Sequence, residues 1–214
     1  MIKRILAGIT LGLLTLCLAG VAQASFLVET YLGSNVRNLA TADALIAGGT
    51  PFSSGRYDVV DFYDGLGKDG HFDTNLAFPG NASTNFALHA TASIVIDTDG
   101  YYTFGTNNDD GLRLSIDGET VINDNRLHDN RNFFGTKYLS EGVYLLDLVF
   151  FEHYGGASVE LFAASGQFNR WNSNFQLVGA DDGISTFANP EPSTLLLLGF
   201  GLLGFAGAGR RKTA

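Results

Sequence analysis

Residues 101–122 read YYTFGTNNDDGLRLSIDGETVI, and this stretch decides the fold. Residues 101–106 are aromatic and β-branched, suited to a pleated, half-buried surface. Leu112, Leu114 and Ile116 alternate with Arg113, Ser115 and Asp117, which sends one face to a core and the other to water. Asp117-Gly118 predicts a two-residue hairpin turn, because a type I′ turn needs positive φ at both central positions. Between the first two strands lies Asn107-Asn108-Asp109-Asp110-Gly111. Adjacent carboxylates at a loop tip repel each other, and a bound hard cation is the simplest remedy.

Upstream, residues 86–96 form a strand with Leu88, Ala90, Ala92, Ile94 and Ile96 on one face. Asp97-Thr98-Asp99-Gly100 predicts a hairpin turn into Tyr101. Downstream, residues 123–131 (NDNRLHDNR) form a polar loop, either ligand-facing or a solvated connector. His128 within it reads as a hydrogen-bonded structural residue. Residues 143–151 are largely apolar, as in a central strand, and lead into the turn Glu152-His153-Tyr154-Gly155-Gly156. Alternation resumes over 157–162, with Val159 and Leu161 on one face. Trp171, the one tryptophan, is expected to pack into the core at the domain edge rather than to stack on a sugar.

The N-terminal part of the body is irregular. Residues 26–32 suggest an edge strand, 41–47 one helical turn, and 72–78 a loop. Asp61, Asp64 and Asp69 lack the alternating oxygen ligands and closing Glu of an EF-hand loop, so they read as solvated turn residues.

The chain has 214 residues, 27 of them Gly and 17 Phe, a composition that favours short strands and tight turns. Net charge is −9, but residues 25–189 hold 8 basic residues against 21 acidic ones, or −13. So acidic a body excludes nucleic acid and anionic membrane surfaces as partners, and suits cations and neutral glycans. The only cysteine, Cys17, lies outside the body, so thiol chemistry and disulfides are excluded there.

Residues 1–24 read as an export signal: Lys3 and Arg4, an apolar run, then Ala22-Gln23-Ala24 as a cleavage site. Leu16 stands before Cys17 where a lipobox has a small residue, so the leader reads as cleaved and not lipidated. The expected division is a leader over 1–24, a β-rich body over 25–178, a linker over 179–189 and a tail over 190–214. The tail carries Pro190-Glu191-Pro192, an apolar run over 194–209, then Arg210-Arg211-Lys212. That run is short for a span but long enough with its flanks, and its basic end belongs in the cytoplasm.

The central stretch resembles the PA14 domain. The most specific match runs from Gly100-Tyr101-Tyr102-Thr103-Phe104 through Asp109-Asp110-Gly111-Leu112-Arg113-Leu114-Ser115-Ile116-Asp117-Gly118. Val121-Ile122-Asn123, His128, Gly142-Val143-Tyr144 and Phe150-Phe151-Glu152 follow in order. The resemblance implies an antiparallel β-sandwich. In sugar-binding members, paired aspartates on one loop hold calcium, often across a cis peptide, and the ion binds vicinal sugar hydroxyls. Asp109 and Asp110 occupy those positions. Those members add an Asn from a second loop; the matching loop here, 152–156, has none. Glu152 is one substitute ligand and backbone carbonyls near His153 are another. His153 and Tyr154 become candidate sugar contacts, by hydrogen bonding and stacking.

The tail resembles the PEP-CTERM sorting signal of Gram-negative bacteria. That resemblance implies a transient inner-membrane tether, cleavage near Pro190-Glu191-Pro192 by an exosortase-type enzyme, and a producer of exopolysaccharide or biofilm. Two functions stay open: a calcium-dependent carbohydrate-binding module at the cell surface or in the matrix, and a structural matrix component with no sugar site. Catalysis is not expected. Adjacent carboxyl groups on one turn do not readily flank a glycosidic bond, and no nucleophile or zinc spacing stands out.

Overall fold

The computed structural model of the chain describes residues 26–187. Twelve strands form two antiparallel sheets. The first sheet contains β1 (Phe26–Leu32), β2 (Ser53–Tyr57), β4 (Phe86–Ile96), β6 (Leu112–Ile116), β7 (Glu119–Asp124), β9 (Gly142–Glu152) and β12 (Thr186–Phe187), in the order β2-β1-β4-β9-β6-β7 with β12 on β4. The second contains β3 (Asp61–Tyr63), β5 (Gly100–Asp109), β8 (Arg131–Leu139), β10 (Ser158–Ser165) and β11 (Gln176–Leu177), in the order β11-β10-β5-β8 with β3 on β10. One helix, α1 (Leu39–Ala47), packs outside the first sheet, with Asn38 capping its N-terminus through Thr41.

The inner faces meet in one core. Leu88, Ala90, Ala92, Ile94 and Ile96 of β4 face it with Leu112, Leu114 and Ile116 of β6 and Leu146, Leu148 and Phe150 of β9. Phe104, Val159 and Leu161 answer from the second sheet. This is the strand period of two that the sequence spells out. Phe78 stacks on Phe62 and Phe150 and meets Phe86 edge-on, which closes one end of the core.

Four expectations are corrected. Asp97-Thr98-Asp99-Gly100 does not join a hairpin. β4 pairs with β9 along its length and with β1 and β12 on its other edge, while β5 pairs with β10 and β8. Both edges of β4 are taken, so the turn carries the chain from one sheet to the other. β1 is not an edge strand, because β2 covers it. The helical turn expected over 41–47 is a nine-residue helix. The segment expected as a linker from 179 is stitched to the sandwich: Thr186 pairs with Ile94 and Phe187 with Ser93. β12 and β1 therefore share one edge of β4, with Leu27 opposite Thr91. The Asp117-Gly118 turn forms as read, with φ of 50° and 76°. The leader over 1–24 and the tail over 190–214 lie outside the described residues.

Candidate cation and sugar site

β5 ends in the second sheet at Asp109 and β6 begins in the first at Leu112. Asp110-Gly111 is the bridge between them, and the Asp109-Asp110 peptide is cis. A Cβ on Gly111 would lie 2.5 Å from the Asp124 carbonyl oxygen and 2.7 Å from the Phe151 ring, so only glycine lets the bridge sit this low. The Gly111 carbonyl accepts from the Phe151 N–H at 3.0 Å, which brings the end of β9 alongside. Asn108, fully buried, donates from Nδ2 to the Asp110 carbonyl at 2.6 Å and accepts at Oδ1 from the Thr106 hydroxyl.

Two loops converge on the bridge. Asp110 Oδ1 accepts the His128 N–H at 2.9 Å and Oδ2 accepts the His153 N–H at 3.0 Å. Asp110 N–H donates to Glu152 Oε2 at 3.1 Å. Asp109 accepts the Asn130 N–H. One carboxylate oxygen from each of Asp109, Asp110 and Glu152 lies within 4.8 Å of the others. Glu152 is fully buried and Asp110 nearly so, while Asp109 is half-buried. Glu152 Oε1 is buried with no hydrogen-bond partner.

The electrostatics follow from that crowding. Burial, then the Asp110 and Asp109 charges, pushes the Glu152 carboxyl up to about 9. Burial, then Asp110 and Asp129, pushes Asp109 up to about 7. Asp110 is raised by burial, with the His128 and His153 N–H groups opposing. An all-oxygen donor set with an orphaned buried oxygen fits a hard cation such as calcium.

The sequence-predicted pair, Asp109 and Asp110, is at the centre. Glu152, left between ligand and core, joins them. His153 approaches through its N–H, and its ring is held by Asn85, Nδ1 to Oδ1 at 3.0 Å. Tyr154 lies beside that ring, centroids 4.1 Å apart, and is 65% exposed. Loop 123–131 reaches the cluster through its backbone: His128 and Asn130 both donate N–H groups to the aspartates. The His128 ring binds buried Asp124, as a structural histidine would. Asn85 went unread in the sequence; its Asn-Phe context before a strand carries no signal for a contact to residue 153.

The oxygen cluster therefore sits on the bridge between the two sheets of the sandwich. The family model of the PA14 domain matches residues 48–148, and that of the PEP-CTERM protein-sorting motif matches residues 190–212. Asp109 and Asp110 fall inside the first match; Glu152, His153 and Tyr154 fall beyond it. Pro190, Glu191, Pro192, Arg210 and Arg211 fall inside the second. Among the described residues no helix is long and apolar enough to cross a membrane.

Among solved structures, the PA14 domain of the antifreeze protein MpAFP matches with TM-score 0.61 at 17% identity, over 79% of this chain and 93% of that one. The PA14 sugar-binding domain from an RTX adhesin matches with TM-score 0.57 at 20% identity, over 73% and 95%. The epithelial adhesin 9 A domain from Candida glabrata, solved in complex with Galb1-3GlcNAc, matches with TM-score 0.54 at 11% identity, over 79% and 91%. At these identities the likeness is one of fold. No curated protein matches the chain.

Proposed function

We propose that the sandwich is an exported, calcium-dependent carbohydrate-binding module of the cell surface or extracellular matrix. The observation that carries this reading is the cluster of Asp109, Asp110 and Glu152 with its unpartnered buried oxygen. In this reading the three carboxylates hold the ion, with Glu152 in place of the Asn that sugar-binding relatives use. A calcium ion there supplies coordination for vicinal sugar hydroxyls. His128 and His153 orient Asp110 through their N–H groups, and exposed Tyr154 offers a face for stacking on the sugar ring.

The sorting motif supports export and handling by an exosortase-type enzyme, with a transient inner-membrane tether through residues 194–209. The glycan partner is then a component of an exopolysaccharide outside a Gram-negative cell. A second reading, a matrix component that holds calcium only for stability, draws on the burial of Glu152 and Asp110.

Thermal melts with calcium, with chelator and with a glycan panel separate the two. A ligand at ~100 times its Kd stabilises by about 2.7 kcal/mol. For a domain of this size that is roughly a 5–10 °C rise in Tm. Asp109→Ala with Asp110→Ala lowers the calcium rise and removes any sugar rise. A double variant that kept the full calcium response would overturn the site. A calcium rise with no sugar rise would leave only the structural reading.

A further inference from the structure

The outer face of the second sheet carries another acidic cluster, built from residues the sequence places far apart. Register aligns Asp61, Glu160, Asn107 and Asn132 in one row across β3, β10, β5 and β8. Val159 and Leu161 face the core, so Glu160 points outward, where residues 69–75 run over it as a strap. Glu160 Oε1 accepts the N–H groups of His71 and Phe72 at 2.6 and 2.8 Å. Asp61 Oδ2 accepts those of Thr74 and Asn75 at 3.1 and 3.2 Å. A Cβ on Gly70 would lie 2.1 Å from Glu160 Oε2, so glycine at 70 lets the strap sit directly against the carboxylate as placed. Asp61 and Glu160 are each 1% exposed, which overturns the reading of Asp61 as a solvated turn residue.

Two oxygens in this row lack a partner. Asn107, 4% exposed, spends Nδ2 on Asn132 Oδ1 at 2.8 Å on the β8 side. Its Oδ1 has no partner, and Glu160 is the residue opposite Asn107 on β10. Asn107 Oδ1 and Glu160 Oε2 are both buried without a hydrogen bond. Burial, then the charges of Asp61 and Asp69, pushes Glu160 up to about 7 against the two strap N–H groups. Asp61 is raised as well, by burial first and Asp69 last. Buried oxygens without donors are costly, and a bound cation satisfies several at once.

We propose that Asp61, Asn107 and Glu160 form a second cation site that takes a hard divalent ion such as calcium and pins strap 69–75 to the sheet. It shares no ligand with the Asp109-Asp110-Glu152 cluster. Its strap continues from the loop that flanks the sugar-site turn. There Asp64 N–H donates to the Ala157 carbonyl at 3.1 Å, and a Cβ on Gly156 would sit 2.3 Å from the Leu66 carbonyl oxygen. An ion under the strap therefore braces one wall of the loop carrying His153 and Tyr154.

Trp171 gives this site its own reporter. It is the only tryptophan, and its ring stacks on His71 of the strap at 3.8 Å. Terbium is titrated into the full chain with excitation through tryptophan, and calcium stoichiometry is read by calorimetry. Wild type is expected to bind two calcium ions and to give sensitised emission that calcium displaces. Asp109→Asn with Asp110→Asn keeps the emission and binds one ion. Glu160→Gln retains a carbonyl to accept the strap N–H groups, loses the emission, and binds one ion at the turn. Wild type binding one ion that Glu160→Gln leaves in place, with no sensitised emission, overturns the second site. A proton shared between Glu160 and Asn107 would give that result. One ion lost in Glu160→Gln but kept in the aspartate variant supports this site and removes the reading of the Asp109-Asp110 turn as a calcium site.

Discussion

A methyl group on Gly111 meets the Asp124 carbonyl on one side and the Phe151 ring on the other. Neither is the tip of a flexible side chain. Gly111→Ala should destabilise the fold by about 1–3 kcal/mol through overpacking and weaken the calcium response, read by urea denaturation with and without the ion. Glu152 and Asp109 make a second prediction through their raised carboxyl groups. The folded state holds their protons above the pH at which the unfolded chain releases them. Stability is therefore full below the ordinary carboxylate range and is lost as pH rises toward about 7 for Asp109 and about 9 for Glu152. In chelator, Tm should fall from pH 5 to pH 9. Calcium displaces the protons, so its affinity should rise with pH over that window and flatten the Tm profile. A chelated protein whose Tm rose with pH would contradict the burial of these groups.

At the scale of elements, the strap and residues 167–178 form an aromatic cap on the second sheet. Trp171 stacks on His71 and meets Phe72, Phe162 and Phe175. This is the packing role expected of it. Trp171→Ala should cost about 3 kcal/mol without changing calcium affinity at the Asp109-Asp110 turn. The elements best read from sequence are those whose signal is local: the alternation of Leu112, Leu114 and Ile116, the positive φ of Asp117-Gly118, and the apolar run of β9. The candidate site was half legible for the same reason. Asp109 and Asp110 are neighbours in the chain and Glu152 is suggested by the family resemblance, whereas the His128 N–H reaches Asp110, and Asn85 reaches the His153 ring, only by folding. Asp97-Thr98-Asp99-Gly100 was misread because turn chemistry reports a change of direction and not which sheet receives the next strand. Asp61 was misread because its burial depends on a strap held from β10, a hundred residues along the chain.

For the molecule as a whole, the −13 body buries Asp110 and Glu152 at the bridge and Asp61 and Glu160 under the strap. Cations at the two proposed sites would lower the self-repulsion, so removing divalent ions should destabilise the protein more at low ionic strength than at high, as melts in chelator across a salt series would show. The edge of β4 has a separate consequence. Phe187 faces Ser93 and Leu27 faces Thr91, and both strands run antiparallel to β4. Phe26 thus takes the ladder position directly after Phe187. In topological terms β12 and β1 are one strand with a nick in its backbone. The sandwich is then a closed ring of chain, indifferent to where the ring is cut. A circular permutant that joins 187 to 26 through a few glycines and opens at Thr98-Asp99 should fold and keep its calcium response.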